Sequence, residues 1–335
     1  MENAAKVREY QGADARSFRE EIMAASEPAI LRGAAAHWPA VQAAATAQGI
    51  ADYLKARDTG ATFDMLIGAP AIKGRFFYNE DMTGLNFDRR PATVSDIADH
   101  LLAAAADALP PTYAAQAIEA RASVPAFLDE NRIDLIGMPV SPRLWIGNRV
   151  IVGAHHDMFS NIAVCVAGRR RFTLFPPDQV ANLHIGPFEF TPAGTPVSLI
   201  DFDNPDFDRF PGFDQALETA QIADLERGDA LYIPYMWWHH VRSLDPFSML
   251  ANYWWNEALP AQPGLQPVDA LVHAFLAFSG LPDEQRAAWA PMFAHMIFDK
   301  DAASHLPPDR SGIRGKLSEE SKRVIRQQMG ALMAR

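Results

Sequence analysis

Cysteine is nearly absent: Cys165 is the only one in 335 residues. No internal disulfide can form, so the expectation is a chain suited to a reducing compartment. Cys165 lies in the apolar run Ile162–Ala167, which reads as a core thiol rather than a nucleophile. Long apolar runs are missing too. No stretch approaches the roughly 18–20 apolar residues that span a bilayer. The opening MENAAKVREYQG lacks the apolar stretch of a secretory signal. The expected location is therefore the cytoplasm, with no membrane partner. An excess of positive charge is also lacking. The net charge of −11 argues against general binding of nucleic acid or anionic membranes. The densest basic patch is Arg169-Arg170-Arg171. Internal repeats and long low-complexity linkers are absent.

The chain has the balance of an ordinary globular protein, with 49% hydrophobic and 21% charged residues. Its length allows one large domain or two small ones. Its most informative feature is a set of metal-ligand residues split between two distant segments. Residues 154–157 read Ala-His-His-Asp, which contains His155-x-Asp157. Far downstream, Gly228-Asp229-Ala230-Leu231-Tyr232-Ile233-Pro234 leads into Trp237-Trp238-His239-His240. On a strand, residues i and i+2 share a side, so His155 and Asp157 can reach one metal while His156 points away. A third ligand from His239 or His240 would complete two histidines and a carboxylate. That set occupies one face of an octahedral Fe(II) and leaves positions open. A bare H-x-D arises often by chance; the downstream partner gives the pattern its weight.

The chain also changes character along its length. Residues 15–26 and 41–56 are helix-forming, with Pro28–Arg32 as a short strand between them. Strands are expected at 63–67 and 75–78. A helix is expected over Thr93–Ala106, capped by Thr93 or Ser95 and stopped by Pro110-Pro111. Another short helix is expected at 124–131. From 143 the sequence turns to short strands separated by Pro, Gly and Asn/Asp: 143–147, 150–155, 161–167, 170–175, 197–200, 230–233, 239–243 and 247–255. That spacing suggests a barrel or sandwich. The segment 176–228 is long and irregular, which inside a compact domain points to function. Helices are expected again at Val268–Ser279, Asp283–Phe298 and Ser318–Met333, the second with an apolar stripe of Trp289, Met292, Phe293, Met296 and Ile297.

Several of these segments resemble one family. GAHHDMFSNIAVCVAGRRRFTLFPPDQ (153–179), FDNPDFDRFPGF (202–213), GDALYIPYMWWHHVRSL (228–244) and NYWW (252–255) are similar, in order, to the core of the Jumonji-C and cupin-like 2-oxoglutarate oxygenases. The pattern is closest to the asparaginyl hydroxylase that acts on hypoxia-inducible factor. EPAILRGAAAHWPA (27–40) and GRFFYNEDMTGLNF (74–87) resemble the amino-terminal part of the cupin-like group. The resemblance covers roughly residues 20–260. It implies a mainly β fold with flanking helices. A double-stranded β-helix (jelly-roll) core would span 143–258, an amino-terminal α+β region 1–142, and a carboxy-terminal helical extension 259–335.

It also implies Fe(II) as cofactor, 2-oxoglutarate as cosubstrate, and an oxygenase that hydroxylates a protein or peptide side chain. A small-molecule or RNA-base substrate, or a metal cupin without 2-oxoglutarate chemistry, is the alternative. The implied metal ligands are His155, Asp157 and His239, the first histidine after the paired tryptophans. Alternation along 170–174 puts Arg170, Phe172 and Leu174 on one side, and Arg169 and Arg171 on the other. The family position, where the hypoxia-factor hydroxylase has lysine, also selects Arg170 as the anchor for the distal carboxylate. The competing reading is an exposed basic cluster. Asn161 and Asn252 match asparagines of the cosubstrate pocket. Tyr113 matches a tyrosine that reaches the distal carboxylate, and Val152 stands where the family has threonine. Trp145 and Tyr232 are candidates for the substrate entrance. The same likeness implies a homodimer built by the carboxy-terminal helices.

Overall fold

The structure is a computed structural model, and it describes residues 4–257, 266–307, 310–315 and 317–333. The chain divides into two units, Met1–Glu257 and Ala258–Arg335. The boundary expected near residue 258 lies outside the described residues.

The first unit carries fourteen strands in chain order: β1 (Ala5–Lys6), β2 (Arg8–Gln11), β3 (Ala29–Arg32), β4 (Phe63–Gly68), β5 (Phe87–Ala92), β6 (Thr112–Glu119), β7 (Arg143–Gly147), β8 (Ile151–His155), β9 (Ser160–Ala167), β10 (Arg170–Phe175), β11 (Gln221–Leu225), β12 (Ala230–Ile233), β13 (Trp238–Ser243) and β14 (Ser248–Trp255). They form a five-stranded sheet, β1-β11-β10-β13-β8, and a nine-stranded sheet, β2-β3-β12-β9-β14-β7-β6-β4-β5. This is the mainly β, jelly-roll architecture with flanking helices.

Period-two alternation sorts the side chains of the central strands into two sets. On β14, Leu250 joins the interior cluster, while Met249, Ala251, Tyr253 and Trp255 join the outer one. On β9, Ala163 and Cys165 face inward while Ile162, Val164 and Val166 face outward. On β10, Phe172 and Leu174 face inward from the other sheet. Helices cover the outer face of the larger sheet through Phe18, Trp38, Leu54, Leu101 and Phe127. A second layer of Phe175, Phe202, Phe213 and Trp238 backs the smaller sheet. The turn before β12 is tight: Gly228 sits at φ +93 against Ala36. Next to it the Asp229 carboxylate accepts from Gly33 N–H, Glu226 N–H and Arg32, tying β3 to β12. Cys165 is buried, and desolvation pushes its thiol up to about 12, so it stays an unreactive core side chain.

Several local expectations are corrected. Residues 75–78 form only isolated bridges, Arg75 with Ile151 and Tyr78 with Leu85. The turns at Gly74 (φ +88) and Met82 (φ +58) keep that segment from running straight. Residues 197–200 supply one bridge, Ser198 with Ile185. The strands β1, β2, β5, β6 and β11 were not expected. β5 is an edge strand holding Arg89-Arg90-Pro91, where proline is tolerated because one side of the ladder is free. The segment after Phe175 is more regular than expected, with a short helical turn at Pro177–Val180, a helix at Phe213–Thr219 and then β11. Residues 1–142 and 143–257 share a sheet, because β6 pairs with β7.

In the second unit the described helices are Pro267–Phe278, Asp283–Phe293 continuing as a wider turn over Ala294–Phe298, and Glu319–Met333. Pro291 sits inside the second of them. Among the described residues, no helix is long and apolar enough to cross a membrane.

Candidate metal centre and cavity

β8 and β13 run antiparallel, with His155 directly opposite His239. Two residues further along β13, Val241 pairs with Val152. The stretch of β8 between these pairs is therefore one residue longer than that of β13. Such a bulge breaks simple alternation and lets both Val152 and His155 face the interior. Asp157 lies just past the strand end, where its carbonyl accepts the Met236 N–H at 3.2 Å. The imidazole centroids of His155 and His239 are 4.2 Å apart. His239 Nε2 is 3.6 Å from Asp157 Oδ2. The three donor atoms lie within 4.8 Å of one another, and among the described residues this is the one such cluster able to hold a metal.

The tautomers follow from the backbone. His155 Nδ1 is 2.9 Å from the Gly153 carbonyl, and His239 Nδ1 is 3.0 Å from the Trp237 carbonyl. A carbonyl only accepts, so each Nδ1 carries the proton and each Nε2 presents a lone pair to the shared space. Burial, reinforced by His155, holds His239 well below the usual histidine range, which keeps it neutral. Burial also raises the Asp157 carboxyl, partly offset by His155 and His156. A desolvated carboxylate beside two imidazoles that both present Nε2 is a donor set for a divalent cation. The neighbouring histidines turn elsewhere. His156 packs edge-on to Trp238 at 4.6 Å. His240 stacks on Phe202 at 4.5 Å, and burial lowers it to about 3.

These three residues line one end of a cavity of about 240 Å³. Arg170 lines the same cavity and is only 6% exposed. Its Nε reaches Ser248 Oγ at 3.3 Å, and its Nη2 reaches the Trp145 carbonyl at 3.5 Å. No carboxylate among the described residues faces it, and burial lowers its pKa to about 10. Its neighbours are paired at the surface, Arg169 with Asp245 at 2.9 Å and Arg171 with Asp224 at 2.6 Å. Asn161 and Asn252 also line the cavity. Both amide atoms of Asn161, and Asn252 Oδ1, are buried without a hydrogen-bond partner. A buried cation without a counter-ion and orphaned amides are costly. A small polar anion in the cavity would satisfy them, so the residues present fit 2-oxoglutarate.

Two candidates from the sequence sit elsewhere. The Tyr113 ring does not line the cavity; it packs against His100, centroids 5.0 Å apart. Gln116 and Ala117, further along β6, line it instead. Tyr232 is buried between Phe18 and Trp255 on the outer face of the sheet, while Trp145 does line the cavity. Trp254, not singled out by the sequence as a site residue, lines it too. Its indole meets Trp145 edge-on at 5.1 Å and stacks with Phe159 at 6.1 Å. At the mouth, Ala193, Gly194 and Thr195 come from the long segment after β10.

The family model for cupin-like domains matches residues 15–259. The chain belongs to the cupin-like family. Among curated proteins, this cupin-like chain is similar to tRNA wybutosine-synthesizing protein 5 of Gallus gallus, 31% identical over 160 residues that cover 44% of this chain and 47% of that one. HSPB1-associated protein 1 of Rattus norvegicus is 36% identical over 118 residues, 33% of this chain and 23% of the relative. Lysine-specific demethylase JMJ30 of Arabidopsis thaliana is 28% identical over 267 residues, 76% of this chain and 56% of the relative. The first two matches thus span about half the relative's length or less. They support the cupin-like and Jumonji-C grouping and do not single out the asparaginyl hydroxylase.

Proposed function

We propose that this cupin-like protein is an Fe(II)- and 2-oxoglutarate-dependent oxygenase that hydroxylates a protein or peptide side chain. One observation carries the reading: a His-Asp-His donor set and a buried arginine that has no counter-ion among the described residues line the same small cavity. With iron and 2-oxoglutarate bound, O2 is consumed, one oxygen atom enters a substrate C–H bond, and the cosubstrate leaves as succinate and CO2. His155 and His239 would hold iron through Nε2, and Asp157 through its carboxylate. Arg170 would hold the distal carboxylate of 2-oxoglutarate, with the amides of Asn161 and Asn252 serving its iron-proximal end. Phe172, Val241 and Leu250 wall the cavity and keep water from the reacting centre.

Cavity size bears on the substrate. About 240 Å³ is less than the roughly 300–1,000 Å³ of pockets that enclose whole drug-sized ligands. A side chain inserted beside the cosubstrate is in keeping with that size. The named tRNA-modifying relative favours a second reading, an RNA base in place of the side chain; the net charge of −11 weighs against it. The test is turnover of 2-oxoglutarate by iron-loaded protein over peptide and RNA libraries, read as succinate and as a 16-dalton mass gain. Iron binding without 2-oxoglutarate-dependent turnover of any substrate would leave a metal cupin of other chemistry.

The homodimer belongs to the same reading. In the second unit Leu276, Ile297 and Phe298 are 66%, 66% and 79% exposed. A second copy would cover these side chains. Ending the chain near residue 260, in the part outside the described residues, should then give a monomer. A full-length protein that scatters light as a monomer at micromolar concentration removes the dimer.

A further inference from the structure

We propose that Gln116 is a second anchor for the distal carboxylate of the cosubstrate, donating its amide N–H beside the Arg170 guanidinium and making the site selective for a dicarboxylate. This rests on the 2-oxoglutarate reading above.

The placement comes from a defect in β6. Its pairing with β7 loses register between Ala115 and Ile118. Ala117 within that bulge stands at φ +53, a conformation that a residue with a Cβ rarely adopts. The bulge is pinned by Arg143, whose Nη1 donates to the Ala117 carbonyl at 3.2 Å. Bulges re-aim side chains, and here the result is that Gln116 and Ala117 line the cavity while Tyr113 packs on His100. Strain of this kind persists where the surroundings enforce it, often at functional sites.

Gln116 belongs to the Arg170 end. Besides the main cavity it lines a narrow recess of about 20 Å³, and both spaces are also lined by Trp145, Val152, Arg170 and Val241. Among the described residues its side-chain amide makes no hydrogen bond. Arg170 alone is an incomplete cradle. Its Nε is engaged by Ser248 and its Nη2 leans toward the Trp145 carbonyl. A carboxylate offers about four lone-pair sites, so further donors are required. Val152 supplies none and Tyr113 is turned away. The Gln116 NH2 supplies two N–H groups and adds no second charge, so one cation still faces one carboxylate.

The experiment is calorimetric titration of the Mn(II)-loaded protein with 2-oxoglutarate and with 2-oxobutyrate, which keeps the 2-oxo acid but lacks the distal carboxylate. Gln116→Leu and the closer isostere Gln116→Met should each weaken 2-oxoglutarate by roughly 10- to 100-fold, the loss of a hydrogen bond to a charged group. Both should leave 2-oxobutyrate unchanged. Gln116→Glu should weaken 2-oxoglutarate further through like-charge repulsion. Either neutral variant titrating like wild type, or weakening both acids equally, overturns the proposal. Wild type that binds neither acid brings down the oxygenase reading itself, a result distinct from wild-type binding with indifferent variants.

Discussion

The two ends of the cavity present opposite electrostatic problems. At one end His155, His239 and Asp157 gather lone pairs and a carboxylate in a buried space. At the other, Arg170 is a buried guanidinium with no carboxylate of the described residues against it. Elsewhere the protein neutralises such groups internally, as Arg32 does with Asp229 and Glu9. Among the described residues neither end of the cavity meets its counter-charge, which leaves room there for a bound cation and a bound anion. The difference teaches where to look for function: at burial without compensation, rather than at charge as such.

The comparison breaks most sharply at the donor end. His155→Ala, Asp157→Ala or His239→Ala should each reduce bound iron from one per chain to a small fraction, measured by elemental analysis after desalting. Turnover should fall by more than the roughly 10- to 100-fold that losing an outer partner costs a metal site. His239→Ala retaining iron while His240→Ala loses it would move the ligand by one residue. At the cation end, Arg170→Ala should raise the 2-oxoglutarate dissociation constant by about 30-fold to several thousand-fold, with iron still bound. Arg169→Ala and Arg171→Ala, which remove surface pairs, should change it by a few-fold at most. Equal effects at all three positions would erase the distinction between the ends.

Acid supplies a finer test. His240 has its pKa lowered by burial to about 3, against an ordinary value of 6.5. Below pH 6.5 the unfolded chain gains a proton that the folded chain refuses. Stability should therefore fall as pH drops from about 6.5 toward 3, by about 2 kcal/mol from this group at pH 5. His240→Phe, which preserves stacking on Phe202, should flatten denaturation midpoints between pH 7.5 and 5. An unchanged slope would refute the assignment. The smallest expected effect on the metal site is that of His240→Ala at neutral pH: iron is retained, while stability falls by about 1–3 kcal/mol for lost packing.

The donor residues were legible because their spacing is chemistry written in order along the chain. The i, i+2 pair and the second segment marked His155, Asp157 and the His239-His240 pair, the family resemblance chose His239 from that pair, and alternation together with the family position set Arg170 apart from its two neighbours. What was not legible depends on register. The β8 bulge places His155 inward where uninterrupted alternation from Val152 would have placed Ala154. The β6 bulge brings in Gln116 and leaves Tyr113 outside. No residue of Tyr-Ala-Ala-Gln-Ala announces a bulge, since Ala117 adopts its left-handed backbone under tertiary constraint. Trp254 was hidden for another reason: β14 alternates Leu250, Asn252 and Trp254 inward against Tyr253 and Trp255 outward, and its dense aromatics look alike on both faces. The strands β5 and β11 escaped because charge and proline obscure their periodicity.

The Nδ1 contacts of the two ligand histidines carry one more consequence. Each ring is aimed by a carbonyl only two residues earlier on its own segment. That acceptor belongs to the main chain, so no side-chain replacement at Gly153 or Trp237 can delete it. Each imidazole is oriented by its own segment and needs nothing from the opposite strand. The folded strands therefore hold two rings already pointed at the shared space, and the entropy of aiming them is lost on folding rather than at the moment a metal arrives.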